Sequence, residues 1–406
     1  MSFSPLSFKR SFHPYPTLLW VRLFGEALTS ASSTMIAPFL VLYLNEHIGT
    51  SVALTMLVIG MQPFTEILLT IFAGGVTDRF RRKSVMLLSL LVQALAMLGM
   101  AFADSIWLFA CSYVLHGAGR ALFIPASRAM LADAMAPDQV PSAFALLNTA
   151  TSLGAVIGPL AGLLLYRHDP TIAFLLTAAS LFVYSAAVWW KIPHTDLPYG
   201  QAAGEAEKGT VGGKQAWQAY RPAVAIMLLS LPISLFYAQS ETNLQLHFRD
   251  RIPQYLETLA FLAAAKGILL LCLEFLLVKW TQNLPLKLLI PGSYLCFCLV
   301  SLGYAVADQM PVLLALQLVL VIGESIGLTQ LLNFVTRTAP VSMRGRFFAI
   351  TGTHWDISRM CGPYIGSLVM VHFGGSFLFL LTALLLLIGA LLMHRYLHRH
   401  EKDFAA

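Results

Sequence analysis

Apolar residues run through this chain in long blocks, not in the alternating or one-faced patterns of a soluble protein. The blocks fall at 17–45, 52–77, 84–103, 106–130, 142–166 and 171–191, and again at 222–246, 257–280, 286–306, 311–336, 346–371 and 376–397. Crossing the hydrocarbon core of a bilayer takes about 20 such residues in a helix. A helix also satisfies its own backbone polar groups in lipid, so the pattern predicts an all-α membrane protein of twelve spans. One stretch differs in kind. Residues 192–220 hold Gly200, Gly204, Gly209, Gly212 and Gly213, with Glu205, Glu207, Lys208 and Lys214 between them. Such a segment cannot bury a core and reads as a flexible linker on the cytoplasmic side. It separates residues 1–191 from residues 221–406, two halves of six segments each.

The halves echo one another. Gly158-Pro159 with Gly162, in segment 5, reappears as Gly362-Pro363 with Gly366 in segment 11. Ala136-Pro137 reappears as Ala339-Pro340 at nearly the same offset. Duplication of this kind predicts two six-helix bundles related by a pseudo-two-fold axis, with any central site between them.

Composition narrows the class further. Hydrophobic residues make up 57% of the 406 residues and charged residues 11%, against about 25% charged in soluble domains. Mean hydropathy is +0.72. A disordered chain, a disulfide scaffold and most cytosolic enzymes are excluded. The net charge of +6 reflects the positive-inside bias of membrane proteins, not a nucleic-acid partner. With both termini on the cytoplasmic face, only Arg167, Arg249 and Arg251 fall in outside loops, and Arg22, Arg120, Lys266 and Arg359 lie within segments. Every other Lys and Arg falls inside. Cys111, Cys272, Cys296, Cys298 and Cys361 sit in apolar runs as small buried hydrophobes. No signal peptide or lipidation motif is evident. The expected setting is the inner (cytoplasmic) membrane of the cell, as a monomer in contact with lipid.

Three groups of residues go beyond a generic membrane bundle. The loop after segment 2 reads Gly74-Gly75-Val76-Thr77-Asp78-Arg79-Phe80-Arg81-Arg82-Lys83. Headgroup anchoring accounts for its basic residues but not for the spacing of Gly74 and Asp78. Segment 5 carries Gly154, Gly158, Pro159 and Gly162, small residues four apart that let helices pack closely, with a proline that kinks the helix. Within the spans lie Arg22 and Glu26, Glu66, Glu241, Glu324, His354, Asp356 and Arg359. Each charge there costs about 2.5–3.5 kcal/mol on insertion scales, so such residues are expected to be paired or functional. Arg22 with Glu26, and Asp356 with Arg359, have the spacing of local ion pairs. Glu241 lies in the polar run Gln239–Gln245, which must line a cavity. Lys266 and Glu274 are expected to pair with other helices.

The loop resembles the signature of the major facilitator superfamily, except that Arg81 stands where the family usually has Gly. The resemblance implies the major facilitator fold and a cytoplasmic gate in which Asp78 meets the start of segment 11, while Arg79, Arg82 and Lys83 reach toward Asp133. Gly154, Gly158, Pro159 and Gly162 resemble the segment 5 signature of the family's proton-driven antiporters. Glu241 and Glu324 resemble acids of its multidrug-exporter branch that take up protons or bind cationic drugs. The segment 4 Arg usual in such antiporters is missing before Gly117, with His116 and Arg120 nearby instead.

The implied function is export of small amphipathic or cationic compounds in exchange for protons, by alternating access. It needs no cofactor besides the proton as coupling ion. A nutrient symporter or a lipid flippase on the same fold is the alternative, the latter taking a lipid-like substrate. An enzyme or sensor is disfavoured. No Walker loop, Rossmann glycines, nucleophile elbow or zinc spacing is present, and no soluble output domain. His394, His398 and His400 read as a snorkelling helix end, not a metal site.

Overall fold

The computed structural model describes residues 16–73, 81–135, 139–192, 213–281, 284–338 and 344–399. Among these residues every regular element is helical. Helices α1 (Thr17–Ile36) and α2 (Leu40–Glu46) form one span broken by a turn at Ala37–Phe39. Then come α3 (Val52–Ala73), α4 (Arg82–Ala101), α5 (Ile106–Ala134), α6 (Val140–His168) and α7 (Thr171–Lys191). The second half comprises α8 (Gly213–Glu241), α9 (Asn243–Arg251), α10 (Tyr255–Thr281), α11 (Leu286–Val306), α12 (Met310–Thr338), α13 (Arg344–Phe373) and α14 (Gly375–Arg399).

Two expectations change. Among the described residues eleven helices are long and apolar enough to cross a membrane, not twelve. The exception, α13, is 30 residues long, but His354, Asp356, Arg359 and several Ser, Thr and Gly residues dilute its apolar character. Helix α8 also begins at Gly213, inside the stretch read as linker, where Lys214, Gln215 and Ala216 favour helix.

The packing is duplicated in detail. In the first half α1 packs on α6 and α7, α4 on α5 and α7, and α3 on α5. In the second half α8 packs on α13 and α14, α11 on α12 and α14, and α10 on α12. The halves meet where α6 packs on α10 and α3 packs on α13, two contacts that a two-fold axis exchanges. Hydrogen bonds show where that axis runs. The Val41 backbone N–H donates to Gln245 Oε1 at 3.2 Å, and Arg249 Nη1 donates to Asn45 Oδ1 at 2.5 Å. Each pair is 204 positions apart, the offset that also relates Gly158 to Gly362. Residues touching their own counterparts lie on the axis.

The glycine motifs explain how the first helix of each half is held. A Cβ at Gly154, Gly158 or Gly162 would run into Ser30, Ala31, Thr34 and Met35 of α1. The close approach lets Ser30 Oγ donate to Thr151 O at 2.7 Å and Thr34 Oγ1 donate to Gly154 O at 3.1 Å. The second half repeats this: Gly362 and Gly366 face Ala238, Gln239 and Asn243. Gln239 Nε2 donates to Gly362 O at 2.9 Å, and Asn243 Nδ2 to Pro363 O at 3.1 Å. Outward positions are large and apolar, among them Leu164, Trp190, Phe275 and Trp280. In water such a surface would aggregate, whereas in lipid it is solvated.

Replacing Gly162 by Leu drives a side chain into the Met35 backbone, which cannot move away as a flexible side chain would. The expected cost is about 1–3 kcal/mol, read as a lower thermal midpoint of the purified protein. Gly292, with open space around its Cβ position, tolerates alanine with little change.

Candidate functional site

Three of the bases within the spans find acids on other helices. In the first half Arg120 Nε on α5 lies 3.1 Å from Glu66 Oε1 on α3, and Gln62 Nε2 donates to the same oxygen at 2.9 Å. Gly117 makes this possible, because a Cβ there would press on Gln62. In the second half Arg359 Nη2 on α13 lies 3.6 Å from Glu241 Oε1 on α8, with both side chains 49% exposed. Lys266 Nζ on α10 lies 3.0 Å from Glu324 Oε2 on α12, an oxygen that also accepts from the Tyr237 hydroxyl at 2.9 Å. Helices α3 and α13 are drawn together at Gly60, where the Met360 carbonyl fills the space of a side chain. The pairs of the two halves therefore converge. Tyr113 lies in electrostatic reach of Glu66, Arg120, Glu241 and Arg359, and Asp356 in reach of Glu66 and Arg359.

Glu241 and Glu324 each have a basic partner, as expected of charges within spans, and the arrangement departs from the sequence reading at one point. Arg359 turns to Glu241 instead of to its i,i+3 neighbour Asp356, which takes no ion pair among the described residues. The local pair of α1 does form. Arg22 is 4% exposed, with Nη2 at 3.5 Å from Glu26 Oε2 and Nη1 donating to the Tyr184 hydroxyl at 3.1 Å. Its guanidinium also lies over Phe123, and Thr151 Oγ1 donates to Glu26 at 3.3 Å. His354 is buried beside Trp355, its Nδ1 without a hydrogen-bond partner. The Lys266–Glu324 pair fits the expectation that Lys266 meets another helix.

Of the residues expected to form a cytoplasmic gate, Gly74, Asp78 and Arg79 lie outside the described residues, as does the side chain of Asp133. Arg82 and Lys83 are placed. Arg82 Nη1 donates to Ala129 O of α5 at 2.9 Å. Lys83 Nζ donates to Trp189 O at 3.0 Å and Ile192 O at 2.5 Å, where the end of α7 leaves carbonyls free to accept. These contacts fasten helices within the first half.

At the end of the bundle carrying the turns after α2, α6 and α9, a network missed by sequence reasoning joins the halves. Glu46 accepts from the Tyr166 hydroxyl at 3.1 Å and the Tyr255 hydroxyl at 3.4 Å, and lies 4.0 Å from Arg249 Nη1. Arg167 pairs with Glu257, and Gln245 Nε2 donates to Ala37 O at 3.0 Å. Applying the repeat offset to Asn45 would have pointed to Arg249; nothing in the sequence marks Glu46. No group of three His, Cys, Asp or Glu residues suited to a metal occurs among the described residues.

The Glu66–Arg120 contact is suited to a double-mutant cycle. Arg120→Gln and Glu66→Gln each lower the melting temperature of the purified protein. The double variant recovers a coupling of about 0.5–1 kcal/mol, the modest value expected of a partly exposed pair.

The sequence matches the Major Facilitator Superfamily profile over residues 22–250 and 254–405. It is 41% identical over 385 residues to the uncharacterised MFS-type transporter YhjO of Bacillus subtilis (strain 168), covering 94% of each chain. It is 28% identical to a Na(+), Li(+), K(+)/H(+) antiporter of Planococcus maritimus, covering 89% of this chain and 92% of that one. It is 27% identical to the multidrug resistance protein MdtG of Klebsiella pneumoniae (strain 342), covering 96% and 93%. Among solved structures, a bacterial homologue of the human lysosomal transporter Spinster superposes with a TM-score of 0.77 at 15% identity, covering 97% and 99%. A duplicated helical bundle, charges gathered where its halves meet and a family match over nearly the whole length lead to one conclusion: the chain is a membrane transporter of the major facilitator superfamily.

Proposed function

We propose that this transporter exports small amphipathic or cationic compounds in exchange for protons, its two bundles rocking about the central charges. The observation that carries the reading is that Glu66–Arg120 and Glu241–Arg359 lie on helices that pack against each other, α3 on α13, at the joint between halves that must move relative to one another. Ion pairs there can be exchanged. A proton on a carboxylate releases its basic partner and weakens the hold on a bound cation, and loss of the proton restores both. A proton crossing 100 mV supplies about 2.3 kcal/mol to drive the cycle. The relatives named as a multidrug resistance protein and as a cation/proton antiporter support export and proton exchange respectively.

In this reading the protein makes twelve crossings of the cytoplasmic membrane with both termini inside, α13 being the polar crossing that faces the centre. The network around Glu46 then lies on the outer side and seals it, so the arrangement described opens inward. Gly154, Gly158, Pro159 and Gly162 let α6 carry α1 as one body during the motion, and when the outer seal is broken the opposite face is latched by Asp78 toward the start of segment 11 and by the basic residues of its loop toward Asp133. The name of the Planococcus relative favours a second reading, exchange of inorganic monovalent cations for protons.

The test uses everted membrane vesicles with an imposed proton gradient. Wild type should drive uptake of a cationic dye such as ethidium, and Glu324→Gln and Glu241→Gln should each lower the initial rate by about tenfold or more. Transport by both variants at the wild-type rate rejects the assignment. Proton release on adding Na+ or K+, with no response to dye, selects the second reading.

A further inference from the structure

One group of side chains already contains a bound cation, and that cation belongs to the protein. The Lys266 ammonium lies 5.0 Å from the centroid of the Tyr237 ring and 3.0 Å from Glu324 Oε2. An aromatic face beside a carboxylate is the chemistry that holds organic cations. The ring is fixed before any ligand arrives. Its hydroxyl is anchored on Glu324 at 2.9 Å, and it makes edge contacts with Trp355 at 5.2 Å, Phe297 at 5.6 Å and Phe236 at 5.7 Å. Trp355 repeats the arrangement on a smaller scale, with the Arg359 guanidinium 5.9 Å from its ring centroid and Glu241 behind that guanidinium. Lys266 itself is on a flexible four-carbon stem that can withdraw, and 31% of its side chain is exposed.

We propose that the Tyr237 face and the Glu324 carboxylate form the cradle for the charged head of the transported molecule, and that Lys266 is a tethered competitor for it. The proposal rests on the export reading above and specifies its substrate as an organic monocation with diffuse charge, a quaternary ammonium or phosphonium. Such a head is weakly hydrated and gains from an aromatic face. An ammonium on a tether must be displaced before the head can dock, so Lys266 lowers apparent affinity and sets a threshold for which cations bind. Small, strongly hydrated metal cations gain little from an aromatic ring and are poor candidates for the cradle.

Equilibrium binding of tetraphenylphosphonium to the purified full-length protein tests this, with neutral triphenylphosphine oxide as the comparison probe. Lys266→Met and Lys266→Gln should each bind the phosphonium about tenfold more tightly than wild type, with no gain for the neutral probe. The double variant Lys266→Met/Tyr237→Leu should lose that gain. Unchanged or weaker binding in both lysine variants overturns the proposal, as does a gain that survives removal of the ring or is shared by the neutral probe. Melting curves identify any variant that fails to fold, and two unrelated replacements of Lys266 keep the test decisive. Binding requires no proton gradient. Tight binding without gradient-driven efflux would sink the export reading alone, whereas efflux with no effect of Lys266 on binding would sink the cradle alone.

Discussion

Charges placed within apolar spans are costly unless paired, and the architecture follows from how they are neutralised. Each of the four in-span bases meets an acid, and three of the four do so across helices: Arg120 with Glu66, Arg359 with Glu241 and Lys266 with Glu324. Glu66 on α3 and Arg359 on α13 place one such pair from each half on helices that meet across the seam. Other interior contacts use hydroxyl and amide side chains against backbone carbonyls, as Ser30, Thr34, Gln239 and Asn243 do. A seam held by ion pairs and hydrogen bonds can be remade in a second arrangement, whereas a close-packed apolar seam resists sliding.

The small residues are the counterpart of the charges. Gly154, Gly158 and Gly162 bring α6 onto α1, and Gly362 and Gly366 bring α13 onto α8 and α9. Within a half these contacts bring backbone against backbone, so each half is internally stiff. Arg82 and Lys83 add to that stiffness by fastening α4 to α5 and α7. Stiff halves joined at a seam that carries ion pairs are what the rocking motion proposed above relies on.

Much of this was legible in the sequence, at the level where local pattern decides. The apolar blocks gave the helices, the repeated Gly-Pro motif gave the symmetry, and the in-span charges marked the interior. Partner choice was not legible. Arg359 has Asp356 within a turn on its own helix, yet pairs with Glu241 because α8 brings a carboxylate closer in space than the helix can. Glu66 and Arg120 are 54 positions apart, and nothing local links them. Hydropathy separates α13 from the other long helices because it carries His354, Asp356 and Arg359. The break between α8 and α9 at Thr242 was also hidden: its hydroxyl bonds back to Ala238 O at 2.6 Å, a choice that depends on surroundings.

The contacts of Val41 with Gln245 and Asn45 with Arg249 have a mechanical corollary. Points on a rotation axis have no lever arm, so a twist about that line would leave both bridges intact, and only a tilt that splays the bundles can part them. Their rupture would then be shared between positions related by the two-fold axis, neither half leading. A single substitution on this line therefore acts on both bundles at once.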